Sequence, residues 1–178
     1  MVRPQSSRRL LRDLRPLLAV PEFKVPVPGG GRPSQNDLFV LARSVVGPGT
    51  MMVEGKVAES FGPRLGDWRE NASRGKQTRL KSLVRTLGLS NRPSGEVRYQ
   101  LLHRAASAIL TGEQYRCAAA VLLVHSFSQE RAGWADYQAF TRLFDVEAVE
   151  GTVQRLKPVS HPPLFGVWVV GDRRFLKS

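Results

Sequence analysis

The sequence predicts an α/β protein in which helices pack on a central mixed β-sheet. Three observations carry this. Runs of β-branched, aromatic and other apolar residues recur at strand length, at 37–43, 50–57, 118–127 and 164–170. Between them lie segments with apolar residues at i, i+3, i+4 and i+7, as in Leu80, Leu83, Val84 and Leu87. The run Ala118 to Val124 is apolar throughout, the mark of a strand covered on both faces. A length of 178 residues suits one domain with a real core.

Taken in order, Arg8 to Ala19 reads as a short basic helix ended by the Pro21 region, so residues 1–20 form a basic extension ahead of one domain at 21–178. Glu22 to Val27 is extended between prolines, and Pro28-Gly29-Gly30-Gly31-Arg32-Pro33 is a loop. Asp37 to Arg43 and Thr50 to Val57 pair as a β-hairpin, with Gly47-Pro48-Gly49 as the reversal. Polar, irregular sequence follows Phe61-Gly62-Pro63 to about Gly75. Helices then run from Lys76 to Leu87 and from Val97 to Leu110, the second burying Leu101, Leu102, Ala105, Ala108 and Ile109. After the Ala118 to Phe127 strand, Trp134, Tyr137, Phe140, Leu143 and Phe144 mark a third amphipathic helix, and Leu164 to Val170 is the last strand.

The formal net charge of +12 is unevenly placed. Residues 33–63 carry two basic and three acidic side chains, whereas residues 1–32 carry seven basic and two acidic, and residues 64–104 ten basic and three acidic. A small acidic island between basic blocks suits an enzyme that holds a cation with carboxylates and a polyanion with the surrounding surface. An arginine-rich solvated face is the plainer reading.

The single cysteine, Cys117, excludes an intrachain disulfide and a cysteine-rich zinc site and fits a reducing cytoplasm. No apolar run approaches the roughly 18 residues of a helical membrane span. Ser6-Ser7-Arg8-Arg9-Leu10-Leu11 is followed by Arg12, Asp13, Arg15 and Pro16, not by the apolar region of an export signal.

The hairpin holds the chemistry. Glu54 and Lys56 are two residues apart on one strand, so both point to one face. With the reversal near residues 46 and 47, pairing sets Asp37 opposite Lys56 and diagonal to Glu54, about 7–8 Å away at Cα. The two carboxylates, the Gly55 carbonyl and waters would ligate Mg²⁺, or Mn²⁺ in its place, at roughly 2.1 Å. Lys56 would orient a water or stabilise charge at phosphorus. A salt bridge on a sheet edge is the alternative use of the same three groups. Glu59 is either a further ligand or an exposed glutamate just past a strand. Gln100, His103 and Ser107 share one helix face, with Arg104 beside it, either at the site or as a polar solvent stripe. His125 is either a phosphate contact or a satisfied structural histidine.

Asp37 opening a strand, a hairpin turn, and then Val53-Glu54-Gly55-Lys56-Val57 on the next strand resembles the core of the PD-(D/E)XK nuclease superfamily, the restriction-endonuclease-like fold. Pro33 to Phe39, Val53 to Pro63, Arg98 to Arg104 and Val124 to Phe127 also resemble a family of uncharacterised bacterial proteins, over about Pro21 to Leu176. The superfamily resemblance implies Asp37 and Glu54 as Mg²⁺ ligands and Lys56 as the catalytic lysine. In this type of fold a helix residue placed as Gln100 is here reaches the metal site or a phosphate. Arg79, Lys81, Arg85 and Arg104 would hold the backbone of DNA, or less favoured RNA. Two departures stand out: the proline that often precedes the first Asp is displaced to Pro33, with Asn36 beside Asp37, and the N-terminal segment is almost without carboxylates. The implied activity is phosphodiester hydrolysis, for which cutting two strands would favour a homodimer. The alternative is a catalytically inactive nuclease-fold protein that binds nucleic acid or a partner protein.

Other motifs fail on spacing. Gly75-Lys76-Gln77-Thr78 matches the end of a phosphate-binding loop, but residue 70 is Glu where the first glycine is required. His103, His125 and His161 lack metal-ligand spacing.

Overall fold

A six-stranded mixed sheet runs in the order β1-β2-β3-β4-β6-β5. The computed structural model describes residues 13–29, 31–89, 93–157 and 162–176. Its strands are β1 (Arg15–Val25), β2 (Ser34–Ser44), β3 (Gly47–Lys56), β4 (Ala119–Ser126), β5 (Gln154–Lys157) and β6 (Leu164–Val170). Its helices are α1 (Leu65–Arg69), α2 (Arg74–Leu87), α3 (Tyr99–Gln114) and α4 (Trp134–Thr141). The first three strands form an antiparallel meander, β3, β4 and β6 are parallel, and β5 returns antiparallel to β6. The α/β class expected from the sequence is the class observed.

Two expectations for the N-terminal half are corrected. Arg15 to Ala19 is strand, not the end of a basic helix, and residues 8–12 lie outside the described residues. The segment hydrogen-bonds along β2 from Arg15↔Arg43 to Val25↔Ser34, with a bulge between Pro16 and Leu18. Pro16 and Pro21 lack an N–H, and an edge strand tolerates them because one side of its backbone has no ladder to complete. The hairpin reverses at Val45 and Val46 rather than at Gly47-Pro48-Gly49, which belong to β3. The Ser44 hydroxyl closes that turn, accepting from Val46 N–H at 3.2 Å and donating to the Gly47 carbonyl at 3.1 Å. Gly47, at φ +132°, takes a conformation that L side chains rarely adopt.

The helices follow the apolar stripes. In α2, Leu80, Leu83 and Leu87 are buried, Ser73 caps the N-terminus by accepting from Lys76 N–H, and Gly88 ends the helix at φ +63°. In α3 the expected Leu101, Leu102, Ala105, Ala108 and Ile109 are buried, with Arg104, Ser107 and Thr111 beside them. Small residues let this helix lie close to the sheet: the Thr50 hydroxyl of β3 donates directly to the Ala108 carbonyl at 3.0 Å. That close approach brings the N-terminal half of α3 over the end of β3.

Registers Glu54↔Val124 and Val124↔Trp168 place these three residues on one sheet face. Trp168 is fully buried there, and Trp134 and Tyr137 of α4 pack on it with ring centroids 5.4 and 5.5 Å away. Ala119, Val121, Phe165 and Val167 make a second apolar cluster on the opposite face. No described helix is long and apolar enough to cross a membrane.

Candidate active site at the fork of the sheet

The β2–β3 ladder ends at Leu38↔Val53, whereas β3 stays paired with β4 as far as Lys56↔Ser126. The sheet therefore forks just beyond Leu38 and Val53. One step beyond that last pair Asp37 falls opposite Glu54, two residues along β3 from the expected Lys56, because the turn sits at Val45 and Val46. At the fork the Asp37 Oδ2 accepts the Gly55 N–H at 2.8 Å, standing in for the ladder bond that β2 no longer supplies. A Cβ on Gly55 would lie 3.6 Å from that oxygen, an ordinary contact, so internal crowding does not demand glycine here.

Glu54 faces α3 and is 1% exposed. Its Oε1 accepts from Gln100 Nε2 at 2.6 Å and pairs with Lys56 Nζ at 3.0 Å. Its Oε2 accepts from Arg104 Nε at 2.5 Å. Lys56 is itself buried, lies 5.1 Å from the Phe61 ring centroid, and reaches Glu59 at 3.9 Å. The structure thus brings together Asp37, Glu54, Lys56, Gln100 and Arg104 from β2, β3 and α3. Asp37 is the open member, with 45% of its side chain exposed.

Arg104, expected among the surface cations that grip a phosphate backbone, is 7% exposed and spends its guanidinium inside the protein. Besides Glu54, it reaches Asp37 Oδ1 at 3.9 Å through Nη2 and Ser34 Oγ at 3.4 Å through Nη1. Arg79 is likewise a structural arginine: it donates to the Val27 and Arg32 carbonyls, at 3.4 and 2.6 Å, and ties the glycine loop to α2. Lys81 and Arg85 are exposed on α2.

The polar face of α3 is not a solvent stripe. Ser107 is fully buried and donates to the His103 carbonyl, while His103 Nδ1 lies 2.7 Å from Ser34 Oγ. Burial first, and then the positive charges of Arg104 and Arg79, lower the His103 pKa to about 3, so the ring is neutral at ordinary pH. Ser34 was not anticipated as part of the site. The i, i+4 spacing of Gln100 and Arg104 was the available signal that both would reach one point, and it extends to Ser34 only once the β1–β2 meander is known.

Glu59 stands at the rim, accepting from the Val57 and Ala58 N–H groups at 3.1 Å each. Partial burial works to raise its pKa, and those backbone bonds with the Lys56 charge outweigh it, so the net shift is downward. His125 pairs with Gly55, one residue out of step with Glu54, so it sits on the opposite sheet face, its ring tilted against Phe127 with centroids 4.4 Å apart. It serves packing there and does not enter the cluster.

Among the described residues, no group of three or more His, Cys, Asp or Glu side chains gathers as a metal cage. The oxygen donors at the fork are Asp37 Oδ1, the Glu54 carboxylate and Gln100 Oε1. The last is buried without a hydrogen-bond partner, because the amide turns its NH₂ toward Glu54. An orphaned amide oxygen on a side chain bonded to Glu54 is donor chemistry a hard cation takes, and Mg²⁺ is ordinarily held by one or two carboxylates plus water and phosphate.

No curated protein matches the chain, and no solved structure does. Over residues 3–173 the sequence matches a family described as a domain of unknown function, DUF6946. With nearly the whole chain covered, from the basic N-terminal stretch through β6, the protein belongs to the DUF6946 family.

Proposed function

We propose that this protein is a metal-dependent phosphodiesterase of the restriction-endonuclease-like kind, acting on DNA rather than RNA. The observation that carries the reading is the meeting of Asp37, Glu54, Lys56 and Gln100 at the fork, where the pattern Asp, then Glu-x-Lys, converges from two strands and one helix. The fork also lies at the carboxyl ends of the parallel strands β3 and β4, the end at which open α/β sheets bind ligands.

Asp37 and Glu54 would hold Mg²⁺ with Gln100 Oε1 nearby, and the bound ion would supply Lewis-acid stabilisation of charge on a phosphoryl oxygen. Lys56, fixed against Glu54, would orient the attacking water and place positive charge beside phosphorus. Gln100 steadies the Glu54 carboxylate through its amide N–H. Lys81 and Arg85, with Arg74, form an exposed cationic side of α2, and no acidic residue interrupts the chain between Glu70 and Glu96. Such a surface suits the phosphate backbone. A homodimer would bring one site to each strand, and the lone, buried Cys117 suits a reducing cytoplasm.

A second reading is a nuclease-fold protein that binds nucleic acid or a partner without cutting. The ion pair of Arg104 with Glu54 favours it, because the carboxylate is already neutralised. A plasmid-nicking assay separates the two. Wild type should nick in Mg²⁺ or Mn²⁺ and stop on chelation, and Asp37→Asn should be slower by about a hundredfold or more while remaining folded. Nicking at the wild-type rate by Asp37→Asn overturns the site; tight DNA binding with no nicking, unchanged by chelation, selects the second reading.

A further inference from the structure

We infer that Arg104 is the resident counter-cation of this site, and that a divalent ion binds only when the Arg104 guanidinium releases Glu54. The inference rests on the metal-dependent function proposed above and adds regulation of the same site. Its basis is position. Arg104 Nε lies 2.5 Å from Glu54 Oε2 and Nη2 lies 3.9 Å from Asp37 Oδ1, so one guanidinium spans both carboxylates that an ion would share. Glu54 Oε1 is meanwhile committed to Gln100 and Lys56.

Two cations already stand against the carboxylates without an ion. Asp37 and Glu54 bring two negative charges and Lys56 and Arg104 two positive ones, while Glu59, 57% exposed at the rim and 3.9 Å from Lys56, adds a negative charge that stays largely hydrated. A divalent ion on Glu54 would face two cations, Lys56 and Arg104, that are buried with it, where repulsion is strong. Displacing the guanidinium from Glu54 removes the nearer of these conflicts.

Arg104 is held in place but has somewhere to go. Nη1 reaches Ser34 Oγ at 3.4 Å, and Ser34 is fixed by neutral His103 at 2.7 Å. A hydroxyl that donates to His103 Nδ1 keeps its lone pairs for Arg104, so the guanidinium is tethered by Ser34 and paired by Glu54. The exposed side of the cluster is at Asp37. A guanidinium leaving Glu54 toward Asp37 would meet an arriving phosphate, which its planar fork of donors matches. Ion and phosphate would then enter together, the ion taking the carboxylates and Arg104 the phosphate.

The test reads binding rather than turnover. Calorimetric titration with Mg²⁺ alone should show Arg104→Gln binding at least about tenfold tighter than wild type, since a positive charge a few ångström from the ion has gone. Nitrogen-15 NMR of the wild type should show the Arg104 Nε–H resonance, assigned through its own backbone, moving to the position of exposed arginines with the same midpoint as the calorimetric curve. This arm needs no substitution, so a variant that fails to fold does not remove the test. Mg²⁺ binding that leaves the Arg104 resonance in place, or equal affinity in Arg104→Gln, overturns the inference and leaves the metal-dependent function standing. Absence of Mg²⁺ binding in both proteins overturns the metal-dependent function and the inference with it.

Discussion

The two ends of the face that α3 and α4 cover are built on opposite principles. At the β6 end, Trp168, Trp134, Tyr137 and Phe140 bury rings against one another. At the fork, the same depth of burial goes to Glu54, Lys56 and Arg104. Aromatic burial returns free energy in proportion to the apolar area removed from water. A buried ion-pair network recovers at best most of the desolvation it cost, and similar volumes of apolar side chain are often as stable or more so. The fork therefore holds charge where packing alone would have preferred leucine, and that is what marks it as a candidate site.

This contrast yields the largest predicted effects. Glu54→Ala should lose about 3–5 kcal/mol of stability, because Lys56 and Arg104 are left buried with only distant, partly exposed carboxylates, Glu59 and Asp37, each 3.9 Å away. Phe140→Ala at the aromatic end should lose a similar 3–5 kcal/mol, for the transfer and cavity terms of a large ring. The two losses differ in what repairs them. Combining Glu54→Leu with Lys56→Met and Arg104→Met should recover most of the stability by removing the unpaired charges together, as measured by urea midpoints at constant slope. A triple variant less stable than Glu54→Ala would mean that the network itself stabilises the fold, and the contrast would fail. Asp37→Asn remains the cleaner probe of chemistry, since its side chain is the exposed one.

How much of this was legible follows from the same contrast. The hairpin, α2, α3 and β6 were readable because their apolar positions keep a simple period, and Asp37, Glu54 and Lys56 because two of them share a strand at spacing two. The turn was misplaced by a residue or two because glycines draw attention, whereas Ser44 and two exposed valines make the reversal. β1 escapes a sequence reading because Arg15 to Ala19 is locally helix-compatible and its partner lies 21 to 28 residues away, from Arg15↔Arg43 to Ala19↔Val40. β5 has four residues and no alternation to reveal it. The inward turn of Arg104 was not legible, since an isolated arginine is ordinarily exposed and only the closeness of α3 to β3 offers it Glu54.

An intermediate effect tests the tether behind Arg104. His103 has a pKa of about 3 when folded against 6.5 for an unperturbed ring. The unfolded chain therefore takes up a proton below pH 6.5 that the folded chain refuses, so this contribution is complete above pH 6.5 and is lost as the pH falls toward 3. Between pH 6.5 and about pH 5 the loss should be about 2 kcal/mol. His103→Gln, which keeps a partner for Ser34, should flatten that part of the stability profile in urea unfolding at the two pH values. Parallel profiles for wild type and His103→Gln would show that the ring is hydrated and protonates freely, and the rigid Ser34–His103 support would be lost.

The smallest effect distinguishes two kinds of cation on one helix. Lys81 and Arg85 are exposed on α2, whereas the Arg79 guanidinium is bonded to the Val27 and Arg32 carbonyls. If the exposed side of α2 follows a phosphate backbone, Lys81→Ala and Arg85→Ala should each lower the slope of log binding constant against log salt by about 1, across DNA sequences alike. Neither should change Mg²⁺ binding at the fork, where neither side chain has a partner in the cluster. Arg79→Ala should instead act on stability, by releasing the loop it ties to α2, and leave the slope alone. Were Arg79→Ala to reduce the slope while Arg85→Ala did not, the contact would lie with the glycine loop and not with the outer face of α2. Salt dependence thus separates a cation that binds a partner from one that binds its own backbone.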